Sequence, residues 1–295
     1  MLLNKSRPAI SILGVCSSLG QKIPGVEKAP DILRDNGLID LFADLTDEIF
    51  DLGNIYPDGN QIDDCWNLIS NVRKKIIQSH KQNCLQVTIG GDHSIAIGTV
   101  QASLINDSET RLVWIDAHGD INTPDTTLSG NLHGMPLAYL LGLFKNSLDG
   151  PFISPENVLL IGVRDLDLAE KEIIQTLGIQ VITANELHLN LNESLQLVTK
   201  WINSSPQKPI HLSFDIDSLD PEFAPATGIR VSNGLSLDCA KKLVQVVAKS
   251  ETLVSLDIVE INPSAINNID ELRRTISSIK EILLYAIGGR QLKIL

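Results

Sequence analysis

The sequence has few cysteines, and their spacing matches no common cysteine framework. Only Cys16, Cys65, Cys84 and Cys239 occur among the 295 residues, and no two of them form a Cys-x-x-Cys pair. This spacing argues against a disulfide scaffold and against a thiolate metal site. We therefore expect reduced, buried thiols in a cytoplasmic protein.

Positive charge and long apolar segments are also scarce. Lys and Arg together number 24 against 36 Asp and Glu, so the formal net charge is -12 at pH 7. This balance disfavours nucleic acid and anionic membranes as partners and favours a small cationic ligand. No segment approaches the roughly 20 apolar residues of a membrane span. The apolar run at residues 9–15 leads into a glycine-containing loop, so we interpret it as a first β-strand and not as a signal peptide.

Apolar runs that are typical of strands alternate with helical patterns along the chain. The runs lie around residues 9–15, 49–53, 84–89, 111–116, 157–163, 179–183, 210–217 and 253–260. Two helical faces are clear: Ile62, Trp66, Ile69, Val72 and Ile76, and then Leu272, Ile276, Ile279, Leu283 and Ile287 before Gly288-Gly289 ends the helix. The alternation predicts an α/β protein whose parallel sheet is covered by helices on both faces. Because no repeat or linker divides the sequence, we expect one domain over residues 1–295.

Three short segments carry carboxylates and imidazoles directly after buried strand-like runs. They are Gly90–Ser94, Asp116–Asp120 and Asp215–Pro221. Residues two apart in a strand project from the same face. Asp116, His118 and Asp120 would therefore point one way, and Asp215 and Asp217 would pair likewise, if the extended geometry persists. Ligand sites in parallel sheets lie outside the carboxyl ends of the strands, which is where these segments fall.

Buried carboxylates without a cation would be costly or would take up protons. No Lys or Arg lies inside the three segments, so two divalent ions are the simplest source of positive charge. The candidate metal ligands are His93, Asp116, His118, Asp120, Asp215 and Asp217. Such oxygen and nitrogen donors suit Mn²⁺, Fe²⁺, Co²⁺ or Zn²⁺, and a site of this kind usually activates water. Taken singly, each segment could instead be a polar strand end or a tight turn, and Asp220 before Pro221 is typical of a turn.

With these segments in place, the sequence resembles the arginases of the ureohydrolase family from nearly one end to the other. The resemblance is carried by Gly25–Pro30, Asp120–Pro124, Ser129–Gly134, Gly162–Asp167 and Ser255–Pro263. It implies a three-layer α/β/α arginase fold with an eight-stranded, mainly parallel sheet. It also implies hydrolysis of L-arginine to L-ornithine and urea by a hydroxide held between two metal ions, most commonly Mn²⁺, with Co²⁺ or Fe²⁺ as alternatives, in a homotrimer or homohexamer.

The same resemblance implies a role for each site residue. One ion would be held by His93, Asp116, Asp120 and Asp215, and the other by His118, Asp116, Asp215 and Asp217. Glu260 would pair with the substrate guanidinium, His133 would relay protons, and Asp120 would act in catalysis as well as in metal binding. The α-carboxylate would meet Asn122, Thr127, Ser129 and Asn131, and the α-amino group would meet Asp167 and Glu170. From the residues alone, Asn122 and Ser129 could equally shape a polar loop.

Some features leave alternatives open. Ile229 stands where arginases usually carry a hydroxyl residue, and Arg230–Asn233 replace a common Pro-Val-Val-Gly run. A related enzyme that acts on agmatine, guanidinobutyrate or formiminoglutamate is one alternative, and a catalytically silent metal-binding subunit of the same fold is another. We expect the remaining histidines, His80, His188 and His211, to be ordinary surface or packed residues.

Overall fold

The structure is a computed structural model that describes residues 9–146 and 148–288. Within these ranges, eight strands form one sheet in the order β2-β1-β3-β8-β7-β4-β5-β6, and every neighbouring pair is parallel. The strands are β1 (Ala9–Val15), β2 (Ile49–Ile55), β3 (Cys84–Ile89), β4 (Arg111–Ile115), β5 (Val158–Ile161), β6 (Gln180–Ile182), β7 (Ile210–Asp215) and β8 (Leu253–Val259). The helices are α1 (Ala29–Asp35), α2 (Leu38–Ala43), α3 (Ile62–Ser79), α4 (Ala96–Asn106), α5 (Pro136–Leu140), α6 (Leu168–Leu177), α7 (Ala184–Leu189), α8 (Leu191–Asn203), α9 (Leu237–Lys249) and α10 (Ile269–Gly288).

Helices cover both faces of the sheet, and strand β1 shows how alternate side chains serve the two layers. Ile10 and Ile12 pack in one core with α1, α2, α8, α9 and α10. Leu13 and Val15 pack on the opposite side with α3 and α4. The predicted three-layer α/β/α arrangement with eight strands is therefore confirmed, and the sheet is wholly parallel in the described residues. Most of the chain's free energy of folding comes from burying these two apolar layers.

The two predicted helical faces are largely confirmed. In α10, all five predicted residues are buried, and the described helix runs to Gly288, whereas Gly289 lies outside the described residues. In α3, four of the five predicted residues are buried, but Ile62 is 53% exposed. Ile62 is the first residue of the helix, where the side chains of Gln61 and Asp64 cap the backbone, so it precedes the part of α3 that packs on the sheet.

Four adjacent central strands, in the order β3-β8-β7-β4, position the functional segments. Because the strands are parallel, their carboxyl ends meet at one edge of the sheet. His93 follows β3, Glu260 follows β8, Asp215 ends β7 and Asp116 follows β4. Segments that are far apart in sequence are thereby brought together by the strand order alone.

Two further sequence expectations concern the thiols and the membrane. Cys16, Cys65 and Cys239 are buried free thiols, and Cys84 is a half-buried free thiol. Burial raises the pKa of Cys16 to about 11 and that of Cys65 to about 12, so both are unreactive at neutral pH. Over residues 9–146 and 148–288, none of the helices has the length and apolar character that crossing a membrane requires.

Candidate active site

The strands end earlier than the sequence pattern predicts, and most of the acidic residues lie in the turns that follow. β4 ends at Ile115, and the residues after Asp215 form a short 3₁₀ helix, Ile216–Ser218. Asp120 has a φ angle of 49°, which is uncommon for a residue other than glycine. The assumption that an extended backbone continues through Asp116–Asp120 and Asp215–Asp217 is therefore wrong. The side chains nevertheless converge, because the turns fold toward one another at the sheet edge.

His93 lies at the centre of the first group of candidate metal ligands. Its Nδ1 atom is 3.0 Å from Oδ2 of Asp120 and 3.2 Å from an Oδ2 atom of each of Asp116 and Asp215. None of these oxygens is aligned for a hydrogen bond, so this buried nitrogen has no partner among the described residues. An imidazole nitrogen that faces three carboxylate oxygens in this way suits a metal ion, which would complete the group.

His118 marks the second group. Its Nδ1 atom is 3.1 Å from Oδ2 of Asp217 and 3.4 Å from Oδ1 of Asp116. Asp116 belongs to both groups, since its Oδ2 faces His93 and its Oδ1 faces His118. The backbone N–H of His118 donates to Asp116 at 2.7 Å, and that of Asp217 donates to Asp215 at 2.8 Å. These hydrogen bonds fix the carboxylates in place independently of any ion.

Burial makes the carboxylates of this cluster costly to ionise together. Burial raises the pKa of Asp215 well above its ordinary value, and the charges of Asp217 and Asp116 raise it further. Burial and the charge of Asp116 raise the pKa of Asp120 to about 6. Burial lowers the pKa of His93, but the three neighbouring carboxylates outweigh this effect and raise it well above its ordinary value. Carboxylate oxygens and imidazole nitrogens without thiolates fit two divalent first-row ions, which would supply the missing positive charge.

Close backbone contacts fix the loop that carries His93. A Cβ atom at Gly91 would lie 1.7 Å from the carbonyl oxygen of Ser17, so only glycine fits there. The Asp92 side chain accepts a hydrogen bond from the backbone N–H of Gly20 at 3.0 Å, which ties this loop to the loop after β1. Gly91 through its close backbone contact and Asp92 through its side chain therefore fix the loop, whereas His93 belongs to the cluster.

Two side chains that the sequence analysis did not single out orient the candidate ligands. Oγ of Ser213 lies 2.9 Å from Nε2 of His93, and Trp114 Nε1–H donates to Oδ2 of Asp116 at 3.0 Å. The Trp114 ring also stacks on His93, with centroids 4.0 Å apart. Both residues stand two positions before a candidate ligand in the same strand segment, and this spacing was the only signal in the sequence.

A cavity of about 230 Å³ lies beside the cluster. Ten of the fourteen predicted site residues line it: His118, Asp120, Asn122, Ser129, His133, Asp167, Glu170, Asp215, Asp217 and Glu260. His93 and Asp116 lie behind this wall and are fully buried. Thr127 and Asn131 do not line the cavity, but both contact Oγ of Ser129. Oγ1 of Thr127 lies 3.5 Å from it, and the backbone N–H of Asn131 donates to it at 3.2 Å. Gly134 and Asp165 also line the cavity and were not predicted.

Glu260 and His133 form a hydrogen-bonded pair in the cavity wall. Nδ1–H of His133 donates to Oε1 of Glu260 at 2.9 Å. Glu260 has a φ angle of 62°, a second strained backbone position in the site, and its backbone N–H donates to the carbonyl of Gly91 at 2.9 Å. Burial lowers the pKa of His133, but the charges of Glu260 and other nearby acids outweigh it and raise the pKa to about 9. The pair therefore favours an imidazolium beside a carboxylate when no metal ion is near.

Asp167 and Glu170 also line the cavity, and they form a capping box at the start of helix α6. The Asp167 side chain accepts from the backbone N–H of Glu170 at 2.9 Å, and Glu170 accepts from that of Asp167 at 3.1 Å. Nδ2 of Asn122 donates to Asp167 at 2.9 Å. Burial and the charge of Asp120 raise the pKa of Glu170 to about 7. Both acids thus have a structural role as well as a place in the cavity wall, and the Asp-x-x-Glu spacing is a readable signal for it.

The residues expected to be structural have the expected contacts. The Asp220 side chain accepts backbone hydrogen bonds from Glu222 and Gly234, as a turn residue does. His80 and His188 are exposed. His211 is fully buried, with Nε2 2.9 Å from Oδ2 of Asp257, so it is a packed residue in a hydrogen bond and contacts neither candidate metal group.

The positions that depart from the arginase pattern have different surroundings. Ile229 lines the cavity and is 39% exposed, so one wall is apolar at this point. Arg230 points away from the cavity toward α10, where its guanidinium lies 3.2 Å from Glu271. Arg164 holds the turn after β7 by donating to the carbonyl of Asp217 at 2.7 Å and to that of Val231 at 2.8 Å.

The fold and the paired His/Asp groups define an α/β protein with a candidate binuclear metal centre at the carboxyl ends of its strands. Comparison with known proteins identifies the family. The model of the arginase family matches residues 8–288. The chain is 34% identical to Arginase-1 of Homo sapiens, over 96% of this chain and 94% of that protein. It therefore belongs to the arginase family and is a hydrolase that acts on C–N bonds of linear amidines.

Solved structures agree with this assignment. The arginase of Bacillus caldovelox superposes with a TM-score of 0.88 at 32% identity, over 98% of this chain and 100% of that chain. An arginase of Entamoeba histolytica in complex with L-ornithine superposes with a TM-score of 0.85 at 29% identity, over 94% of this chain and 99% of that chain. The predicted resemblance and the predicted arginase fold are confirmed.

Proposed function

We propose that the protein is an arginase that hydrolyses L-arginine to L-ornithine and urea. The observation that carries this proposal is the layout of the cavity. Its wall includes Glu260 and the candidate metal ligands His118, Asp120, Asp215 and Asp217. The same wall includes Asn122, Ser129, Asp167 and Glu170. Acids suit the two cationic groups of arginine, and hydrogen-bond donors suit its carboxylate. The L-ornithine in the related Entamoeba histolytica arginase supports the same substrate class.

Two divalent ions would supply the charge that lets water ionise near neutral pH. The residues that would hold them are His93, Asp116, His118, Asp120, Asp215 and Asp217. We propose Mn²⁺ as these ions, with Co²⁺ and Fe²⁺ as the alternatives. The unpartnered Nδ1 of His93 and the raised pKa of Asp215 both support a site built to hold cations.

The chain's own residues would then orient the substrate and move protons. Glu260 accepts an N–H of the guanidinium and holds the planar group in place for attack by water. Addition of water to the guanidinium carbon gives a tetrahedral intermediate, and the bond between that carbon and the side-chain nitrogen breaks. The departing amine takes up a proton that the imidazolium of His133 would deliver, and the proton lost by the attacking water would restore that imidazolium. Urea and L-ornithine leave the cavity.

A related guanidino or formimino substrate is the second candidate. It is favoured by Ile229, which places an apolar surface where arginases usually have a hydroxyl group, and by the positions of Thr127 and Asn131 outside the cavity lining. Only Asn122 and Ser129 of the four predicted carboxylate contacts line the cavity. A catalytically silent subunit is not supported, since all six candidate metal ligands are present and converge.

Hydrolysis of each substrate by metal-stripped and metal-reloaded protein tests the proposal, with urea as the measured product for guanidino substrates and formamide for formiminoglutamate. We expect L-arginine to give the highest kcat/KM in a panel that includes agmatine, guanidinobutyrate and formiminoglutamate, with Mn²⁺ restoring most activity. Urea and ornithine would be measured separately, because ornithine comes only from arginine. Activity with formiminoglutamate but not with arginine would replace this proposal with the second candidate.

His133 offers a sharper test of the proton step. His133→Asn should lower kcat by about 10²–10⁴-fold, the usual range for loss of an acid or base, while the bound metal is retained. Asn can still donate to Glu260, so the orientation of that carboxylate should change little. Steady-state kinetics together with metal analysis would check this. A variant that loses a metal ion would show that His133 is a ligand and not a proton relay.

The setting of the enzyme is also part of the proposal. We propose one catalytic domain over residues 1–295, assembled as a homotrimer or homohexamer in the cytoplasm, with a small cationic molecule and neither nucleic acid nor membrane as its partner. Free thiols and the net charge of -12 support the cytoplasmic setting and the cationic substrate. Light scattering at several protein concentrations would measure the assembly.

A further inference from the structure

Glu260 has more hydrogen-bond donors around it than its sequence motif indicates. Its Oε1 atom accepts from the backbone N–H of His93 and from Nδ1–H of His133, each at 2.9 Å. Its Oε2 atom accepts from Nε2–H of Gln21 at 2.7 Å. Each oxygen of a carboxylate offers about two acceptor directions, so both directions of Oε1 are occupied. The direction that remains for a substrate is on Oε2, the oxygen that Gln21 holds.

Gln21 lies in the loop after β1, and its side chain does not serve to anchor that loop. Backbone contacts anchor it instead: Gly20 N–H donates to Asp92, and the carbonyl of Gly20 accepts from His133 N–H. The amide oxygen Oε1 of Gln21 is buried and has no partner among the described residues. Most buried side-chain polar atoms have a hydrogen-bond partner, so the amide oxygen of Gln21 is an exception. The hydrogen bond to Glu260 is therefore the polar contact that explains the orientation of this amide.

We propose that Gln21 is a positioning residue that directs Oε2 of Glu260 toward the guanidinium group of the substrate. The inference rests on the proposed function, in which Glu260 binds that group. Without the amide donor, the carboxylate would still be present and would still attract the guanidinium. It would be held through Oε1 alone, however, so Oε2 would be oriented less well and the guanidinium carbon would be held less accurately for attack. Gln21 should therefore matter more for the rate of the chemical step than for substrate binding.

Two substitutions separate this role from simple space filling. Gln21→Met keeps the length of the side chain but removes the donor, and Gln21→Glu replaces the donor with a carboxylate that repels Glu260. In the Mn²⁺-loaded protein we expect kcat to fall by about 10- to 100-fold in Gln21→Met and further in Gln21→Glu, with KM changed less than about threefold in Gln21→Met. Arginine and agmatine should be affected equally, because the guanidinium is common to both. Gln78→Met, at an exposed position of α3, is the matched control and should behave like the unmodified protein.

A crystal structure of Gln21→Met completes the test, because it does not depend on which substrate is hydrolysed. We expect the Glu260 carboxylate to be rotated or to occupy two conformers. An unchanged Glu260, or equal kinetics for Gln21→Met and the unmodified protein, would overturn the inference, as would a rate loss explained by lost metal or a lower melting temperature. Failure of the unmodified protein to hydrolyse any guanidino substrate would instead count against the proposed function, and the conformation of Glu260 in the variant would still decide the role of Gln21.

Discussion

Replacing Asp215 with Asn is expected to lower kcat by about 10³-fold or more while the sheet remains folded. Metal ions stabilise the charge of such reactions by several kcal/mol, and each 1.36 kcal/mol corresponds to about a tenfold change in rate. Asp215 faces His93 at 3.2 Å and is buried, so Asn would fit the same space with no negative charge to hold an ion. Turnover and metal content per chain, measured on the same sample, would check the prediction.

The stability of the metal-free variant gives an independent check. Burial and the charges of Asp217 and Asp116 raise the pKa of Asp215, so its ionised form is unfavourable in the folded protein without ions. The Asp215→Asn substitution would remove that repulsion, and the melting temperature of the stripped variant should be no lower than that of the stripped unmodified protein. Asp220→Asn is the matched control in the same segment; it should alter the turn and leave metal content unchanged. A fully active Asp215→Asn protein with a single bound ion would contradict the binuclear assignment.

The sequence was sufficient for the sheet because most strands lie in short, mainly apolar runs and the two long helices α3 and α10 have a clear periodicity. Strand β1 was predicted with its observed bounds, and β3 likewise. The ends of β4 and β7 were predicted too late because the apolar pattern merges into polar residues whose conformation is set by contacts outside the segment. Asp217, for example, is turned by its own N–H bond to Asp215 and by the bond that Arg164 makes to its carbonyl. Local preference alone does not determine such turns.

The candidate site was predictable where a motif is local and not where it depends on distant segments. His93 follows β3, whereas Asp116 and His118 follow β4. Because both strands are parallel and end at the same edge of the sheet, with β8 and β7 between them, the convergence of these side chains could be anticipated. Gln21 is 239 positions from Glu260, and no pattern in either segment indicates that their side chains meet. The contact of Ser213 with His93 and the stacking of Trp114 on His93 likewise depend on how the strands pair, so they are seen only in the structure. Which predicted residues contact a substrate remains a prediction.

The preference for L-arginine over agmatine is the second large effect that we expect. Agmatine lacks only the carboxylate, and it would leave the donors of Asn122 and Ser129 facing water or empty space. A site built to hydrogen-bond a polar group of its substrate can reject the analogue without that group by about 10⁴–10⁵-fold. Ser129 lines the cavity, and its Oγ accepts from the backbone N–H of Asn131, so its hydroxyl hydrogen can be donated to a substrate. Values of kcat/KM for the two substrates would measure the preference.

Substitutions can test recognition of the substrate carboxylate separately from recognition of its guanidinium group. Ser129→Ala should lower kcat/KM for arginine more than for agmatine and so reduce the preference. Ser108→Ala, at an exposed position outside the cavity lining, should leave the preference unchanged. Glu260→Gln should reduce kcat/KM for both substrates by similar factors, because the guanidinium is common to them. If the unmodified protein used both substrates equally well, the loop at Ser129 would not recognise the carboxylate. A guanidino substrate without a carboxylate at that position would then be the better assignment, and Ile229 would become the first residue to examine for the cause.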